Sequence, residues 1–473
     1  MTVLEPGDSC WRTERARRVS FLVDNEPYYA ALGSALRSAK RSIHILGWAF
    51  DPRTRLAPDG REGPDDPDEI GRILVELCRA NPKLDVRVLV WRSPFGLMDR
   101  QDLRGHRAKQ RFANTSVVFR EARDTPIGAC HHQKIVVIDD QLAFCGGGDI
   151  TTNRWDSKAH RDDEPRRTLP DHARHPPRHE VTLLVEGPAA GALGDLFRQR
   201  WTGATGEVLP HGRCDGAGAW PAGAPAHLTN VTVGIARTGP AWRGRPPVEE
   251  VRRLTLACIE NARETIYLEN QYFSCAPVAV ALARRLREPS GPEVVLVVSG
   301  RAPSWFDHMT MDHARNPLIR RLRAADRFGR FRALSPSTAA GVGIIVHSKV
   351  GVFDDRVMRV GSANLNNRSE GFDTECDLAI QAESGVQRRT ISDFRDLLIG
   401  HYLGIEPAEF TQSRISRGGL VAAIDALNTK GRLKPVATGK ATYWESLVSR
   451  RTLGDPPCAS GSWRLRAPQP LDL

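Results

Sequence analysis

Two short segments decide most of what this chain can become. HHQKIVVIDD at residues 131–140 places His132, Lys134 and Asp139 in the pattern H-x-K-x(4)-D, and HSKVGVFDD at residues 347–355 repeats it with His347, Lys349 and Asp354. At average residue usage one such match would arise by chance in roughly 3% of chains this long. Two at equivalent places imply a duplicated unit. Residues 132–149 lie over residues 347–364 without a gap, and the surroundings repeat as well. A helical stretch from Pro27 to Lys40 runs into SIHILGWAF in one half, and PVEEVRRLTLACIENARE runs into TIYLENQYF in the other. Each half then offers a short helix with proline at its start, a favoured placement: Asp66-Pro67 ahead of the stripe Ile70, Ile73, Leu74, Leu77 and Cys78, and Pro277 ahead of VAVALARRL. The strands DVRVLVW and EVVLVVS follow, of the kind buried on both faces of a largely parallel sheet.

The expected fold is therefore α/β: two pseudo-repeated lobes, each a mostly parallel or mixed sheet flanked by helices, with the site at their interface. At 473 residues the chain exceeds the usual limit of a single core. The expected division is a first lobe over 1–202, a Gly/Pro-rich connector over 203–227, a second lobe over 228–405, and an extension over 406–473 that reads as a helix followed by Pro-rich coil. Residues 157–179 are polar and rich in Pro and Arg, and read as a mobile loop near the pocket mouth.

In a strand, side chains two apart share a face, so His132 projects with Lys134 and His347 with Lys349. Asp139 and Asp354 fall past the strand end and read as orienting or charge-balancing groups of the same catalytic motif. Two imidazoles and two ammonium groups on one cleft suit attack on a phosphodiester. A neutral imidazole is a competent nucleophile, and a second can protonate the leaving alkoxide and then deprotonate the incoming water or alcohol. The lysines would hold the non-bridging oxygens. Glycine-containing turns after each motif, Gly146-Gly147-Gly148-Asp149 and Gly361-Ser362-Ala363-Asn364, could approach a phosphate. Glu180 and Glu375 could each fix the tautomer of the histidine in their own half.

Charge bears on partners: 67 basic against 56 acidic residues give +11, which favours anionic ligands. Aromatic residues are only 7% and the arginines are dispersed, so a basic groove with interleaved aromatics for nucleic acid is not expected. Nine cysteines show no CxxC pair or Cys/His cluster of zinc spacing, and the histidines of 157–179 show no ligand spacing either. No metal and no cofactor are expected. The N-terminal residues lack the apolar run of a signal peptide, and nowhere do about 18 consecutive apolar residues occur. A cytoplasmic protein is expected, peripheral at a membrane, with export by a specialised machine as the alternative.

The duplicated motif, with GSANLNNRS at 361–369, IYLENQYF at 266–273, GGGDITTNRWD at 146–156 and HEVTLLVEGPAAGALGDLFRQRW at 179–201, resembles the phospholipase D superfamily over roughly residues 20–405. The resemblance implies cleavage of the distal phosphodiester of a phospholipid through a phosphohistidine, or transfer of the phosphatidyl group to an alcohol, without metal. By position His132 is similar to the family's nucleophile and His347 to its general acid/base; Lys134, Lys349 and Asn364 resemble its phosphate ligands, with Ser362 beside them and Gly147 and Asp149 at the matching turn. The implied partner is phospholipid at a membrane surface, met by basic loops and aromatics such as Trp305-Phe306. One chain supplies both halves of the site, so a monomer is expected. A cardiolipin-synthase-like transferase is the second reading, a metal-independent nuclease the third, and a non-catalytic binding module the last.

Overall fold

The structure is a computed structural model and describes residues 2–58, 68–93, 99–212, 218–300, 308–439 and 454–456. Its first half runs β1 (Arg12–Val23), α1 (Asn25–Ser38), β2 (Ser42–Gly47), α2 (Ile70–Ala80), β3 (Asp85–Trp91), α3 (Asp99–Phe112), β4 (Val118–Ala122), β5 (Ile135–Ile138), β6 (Leu142–Gly146), β7 (Arg178–His179), β8 (Val181–Glu186) and α4 (Pro188–Thr205). The second half follows a similar order with two added elements. It runs β9 (Leu228–Gly239), β10 (Val248–Glu249), α5 (Glu250–Asn261), β11 (Thr265–Asn270), α6 (Ala276–Arg287), β12 (Glu293–Val298), α7 (His313–Ala325), β13 (Phe331–Pro336), β14 (Ile345–Val346), β15 (Val350–Phe353), β16 (Val357–Gly361), α8 (Asn367–Gly371), β17 (Glu375–Gln381) and α9 (Gly385–Leu403). Three further elements close the described chain: α10 (Pro407–Arg417), α11 (Leu420–Leu427) and β18 (Leu433–Pro435).

The two lobes share one sheet rather than carrying one each. Its order is β18-β13-β12-β11-β15-β16-β17-β9-β1-β8-β6-β5-β2-β3-β4, with β10 added to β9. Read outward from the antiparallel seam between β1 and β9, the two directions mirror each other strand for strand until β18. The sheet is mixed. Only β2, β3 and β4, and their repeats β11, β12 and β13, pair in parallel. That is where the all-apolar sequences fall, because a parallel strand covered on both faces has no side for polar residues. The Pro/Gly punctuation also acts as its chemistry requires: Pro188 sits in the first turn of α4, and Gly206 ends it in the left-handed region at φ 78°. By contrast α2 is described from Ile70, and Asp66-Pro67 lies outside the described residues.

Helices cover both faces. α1, α2 and α3 pack on one face of the first lobe, and α5, α6 and α7 on the matching face of the second. On the opposite face α4, α9, α10 and α11 close a core that crosses the seam, with Phe197, Trp201, Phe394 and Tyr402 among its buried residues. Residues 406–439 of the expected extension thus pack on the second lobe, and β18 covers the outer edge of β13, which would otherwise present unpaired backbone groups.

The segment 157–179 departs from its expected character. His160, Glu164, Arg167, His175, Arg178 and His179 in it are buried, and Arg178 and His179 pair in parallel with Ile345 and Val346 of the other lobe. Its charges explain this: Arg167 reaches Asp156, and Asp162 accepts from Thr338 of the second lobe, so the polar residues are paired with protein rather than water. Trp305-Phe306 lies outside the described residues.

Candidate active site

The two H-x-K segments each enter the sheet from the seam end, and each is held there by the opposite lobe. The His132 N–H donates to the Thr374 carbonyl at 2.9 Å, and the His347 N–H donates to the His179 carbonyl at 2.8 Å. The aspartates of the motif go the other way. Asp139 and Asp354 sit beyond the far ends of β5 and β15, about 16 Å along the strand from their lysines at ordinary strand rise. Each opens a two-residue turn with positive φ at both positions, 55° and 55° for Asp139-Asp140 and 52° and 54° for Asp354-Asp355. Aspartate tolerates that left-handed region, and such turns match strand twist. Their carboxylates accept backbone N–H groups at the entrances of β2 and β11: Lys40, Arg41 and Ser42 for Asp139, and Arg263, Glu264 and Thr265 for Asp354. The motif aspartates are therefore scaffold residues, and the expectation of a catalytic role for them gives way. Asp354→Ala should lower stability by about 2 kcal/mol in chemical denaturation, with turnover per folded molecule unchanged. A selective loss of turnover would return Asp354 to the site.

Each histidine rests on a glutamate from the other lobe. His132 Nδ1 lies 3.0 Å from both carboxylate oxygens of Glu375, and His347 Nδ1 lies 2.9 Å from Glu180 Oε2. The within-half pairing expected from the sequence is thus reversed. The reason is topological: Glu180 lies just before β8 and Glu375 begins β17, and both strands flank the seam, so each carboxylate faces across it. The crossing brings both rings into one unit. Lys134 and Lys349 both act on His132, and both act on His347.

The equivalent positions around the two glutamates differ. Ser362 donates to Glu375 Oε2 at 2.5 Å, and Ser369 donates to Oε1 at 2.6 Å. In the first lobe the same places hold Gly147 and Arg154. A Cβ on Gly147 would collide with Glu180 Oε1 and the His347 carbonyl. Ser362 and Gly147 therefore serve the glutamates, one by donating and one by leaving room, and neither points a free donor at a phosphate. Asp149 is also committed: it accepts from the Trp48 and Ala49 N–H groups and lies 3.2 Å from Lys134 Nζ. Although burial pushes its carboxyl up, Lys134 and Arg154 hold it below the usual range, so it balances a lysine and would repel a phosphate. Asn364, at the matching place in the second lobe, carries no charge and is buried, and its side-chain amide holds an Nδ2 donor that can be given to an anion. Of the four turn residues expected to meet phosphate, Asn364 keeps that capacity.

Lys134 and Lys349 both donate to the carbonyl of the histidine two residues before them, at 2.8 and 2.5 Å. Lys349 makes no ion pair among the described residues, and its burial pushes its ammonium down to about 7. Burial likewise pushes Glu375 up to about 8 and Glu180 up to about 7. Both histidines are held well below their ordinary value, first by burial and then by the lysines, and stay neutral at pH 7. Two arginines escaped the sequence reading. Arg154 and Arg178 are buried beside His347 and Glu180, and Arg178 is lowered to about 9 by burial and by Arg154. Arg154 lies inside the quoted GGGDITTNRWD stretch, but its repeat partner is Ser369, so the duplication gave no second copy to flag it.

These shifts tie the site to stability. Relative to the unfolded chain, the raised Glu375 carboxyl stabilises the fold most below about pH 4.5, and that contribution is lost as pH rises through about 8. The depressed Lys349 contributes above about pH 10.5 and loses that contribution as pH falls through about 7. The site thus costs the fold most near neutrality. Lys349→Met should raise the melting temperature by about 2 °C at pH 7 and by less at pH 10, while turnover is lost. Calorimetry at the two pH values checks this; a lower melting temperature at pH 7 would contradict it.

Each repeat thus contributes a histidine, a lysine and a glutamate that reaches across the seam. Residues 35–215 match the family described as Phospholipase D, and residues 255–398 match the one described as Cardiolipin synthase, PLD-like domain. The chain belongs to the phospholipase D superfamily and carries two such domains. It is 23% identical over 462 residues to Phospholipase D A of Dictyostelium discoideum, a match covering 82% of this chain and 36% of that protein. To Phospholipase D alpha 4 of Arabidopsis thaliana it is 25% identical over 484 residues, covering 76% of this chain and 61% of that one. This chain thus spans between about a third and three fifths of these relatives. Among solved structures, phosphatidylserine synthase of Haemophilus influenzae Rd KW20 superposes with a TM-score of 0.59 at 14% identity, covering 89% of this chain and 94% of that one, a likeness of fold.

Proposed function

We propose that the protein is a phospholipase D: it cleaves the distal phosphodiester of a glycerophospholipid such as phosphatidylcholine through a phosphohistidine, giving phosphatidic acid, and transfers the phosphatidyl group when an alcohol replaces water. The observation that carries the reading is the crossed pair of His–Glu contacts around two lysines. With Nδ1–H given to Glu375, His132 presents the Nε2 lone pair to phosphorus. Its side chain is 17% exposed against 7% for His347, which supports His132 as the nucleophile. The P–N bond forms as the P–O bond to the headgroup breaks, and His347 gives its proton to the departing oxygen. His347 then removes a proton from water or alcohol, whose oxygen displaces His132 from phosphorus. Burial holds His347 neutral in the free protein; the charge of an arriving phosphodiester favours its protonated form, so the acid is loaded as substrate binds. Lys134, Lys349 and Asn364 hold the non-bridging oxygens, with Arg154 and Arg178 adding positive potential behind them.

The division into lobes over 1–202 and 228–405, with the connector and extension as expected above, belongs to this proposal, as does action from the water side of a membrane. No helix among the described residues is long and apolar enough to cross one. A phosphatidyltransferase joining two phosphatidylglycerols is the second reading, favoured by the second-half match to the cardiolipin synthase description. Incubation with phosphatidylcholine, phosphatidylglycerol and single-stranded DNA in parallel, with ethanol present, distinguishes them. Phosphatidylethanol is the expected product. Cardiolipin in its place would favour the second reading, and nicked DNA with intact lipid would overturn both.

A further inference from the structure

Away from the catalytic histidines, four side chains from four separate segments converge. Asp24 lies between β1 and α1, His160 in the segment 157–179, His179 in β7, and His401 in the last turn of α9. Their ligand atoms all lie within 4.8 Å of one another, and all four residues are buried. We propose that this cluster binds a divalent transition ion of the zinc class, as a closed structural site that clasps the two lobes together.

The geometry fits such an ion. Metal–ligand distances of about 2.0–2.1 Å place tetrahedral ligands roughly 3.3 Å apart. Here His160 Nε2 and His401 Nε2 are 2.9 Å apart, His179 Nδ1 and Asp24 Oδ1 3.0 Å, His401 Nε2 and Asp24 Oδ2 3.5 Å, and His160 Nε2 and Asp24 Oδ1 3.7 Å. Three imidazole nitrogens and a carboxylate suit zinc, and the site has no room for an oxygen-rich shell of the calcium kind. One atom aimed into the cluster, Asp24 Oδ2, is buried without a hydrogen-bond partner among the described residues, and His179 Nδ1 has only the ligand oxygen Asp24 Oδ1 beside it. Buried polar atoms are rarely left so. The far nitrogens of two of the histidines rest on carboxylates, as ligating imidazoles usually do: His160 Nδ1 is 2.8 Å from Asp156 Oδ2, and His179 Nε2 is 3.1 Å from Glu269 Oε2. Asp24 and His160 also hold φ of 68° and 41°, strained values for such residues that a ligand clamp would sustain.

Four protein ligands and full burial leave no open position for substrate, so the ion would act on architecture. Its consequence reaches the active site by backbone. Asp24 N–H donates to the Glu180 carbonyl at 2.7 Å, and His347 N–H donates to that of His179 at 2.8 Å. His401 comes from the second lobe and the other three ligands from the first, so the ion would fix the seam beneath His347. No ligand spacing shows along the chain because none of the four residues are near neighbours in it; the fold alone brings them together.

The test uses the full chain purified without a histidine tag or chelator. Elemental analysis should find about one zinc per chain. Dipicolinate should strip it and lower the melting temperature, and added zinc should restore both. Cobalt supplied to the stripped protein should give the strong visible absorption of four-coordinate Co(II). His160→Gln and His401→Gln should each hold below about a tenth of an equivalent, while His131→Gln, a buried histidine elsewhere, keeps the full amount. Should the variants fail to fold, the wild-type stoichiometry and the cobalt spectrum still decide. Wild-type protein that carries no transition ion, takes none up and melts identically with and without chelator would overturn the proposal.

Discussion

Replacing His132 or His347 by alanine should each lower turnover by at least about 10⁴-fold, yet the two variants should fail at different points. With His347→Ala, His132 can still attack, so radiolabelled phosphoenzyme accumulates on substrates whose leaving group needs little protonation. With His132→Ala no phosphoenzyme forms at all. The argument rests on geometry rather than on resemblance alone. Both rings are held at Nδ1 by a buried carboxylate, both are neutral, and both share the field of Lys134 and Lys349, so neither can stand in for the other without moving across the seam. Rapid quench and gel autoradiography check this; near-normal turnover in both variants would remove the site.

The crossed glutamates give the second large effect. Glu375→Gln should slow the burst of phosphoenzyme formation by about 10²–10⁴-fold, because His132 loses the acceptor that fixes its tautomer. Ser362 and Ser369 keep the glutamine side chain in place, but its amide offers one accepting oxygen where Glu375 offers two. Glu180→Gln should leave burst formation much less affected and slow the later step, in which His347 takes the proton from water. A pairing within each half predicts the reverse assignment. Pre-steady-state kinetics of the two variants on one substrate therefore tests the cross-lobe arrangement itself, and identical kinetic defects would count against it.

Much of the architecture could be read directly. The ungapped overlap of 132–149 with 347–364 anticipated the mirrored halves, and the unbroken apolar runs DVRVLVW and EVVLVVS marked the parallel strands β3 and β12, because covered parallel strands leave a plain compositional trace. The fusion of the two sheets at β1 and β9 left no such trace, since an antiparallel pairing between segments so distant in the chain depends on both lobes being folded. The same gap explains the errors at the site. Spacing says which side chains share a strand face, although His132 and Lys134 themselves precede β5, and His347 and Lys349 precede β15. It says nothing about what faces them from the other lobe, so Glu180 and Glu375 were paired in the wrong sense. Asp139 and Asp354 looked chemical because they belong to a chemical motif; their positive φ and three backbone N–H contacts each show that a motif can preserve a turn as well as a reaction. Ser362, Gly147 and Asp149 resemble phosphate ligands for a related reason: they neighbour the phosphate-facing groups, but their own bonds and space are already taken.

The stereochemical course at phosphorus tests the central claim most directly. Two imidazoles on opposite sides of one diester require two in-line displacements, so transfer from a phospholipid made chiral at phosphorus by isotopic oxygen to ethanol should proceed with retention of configuration. Inversion would mean a single displacement, with no bond from His132 to phosphorus and no place for the reaction described above.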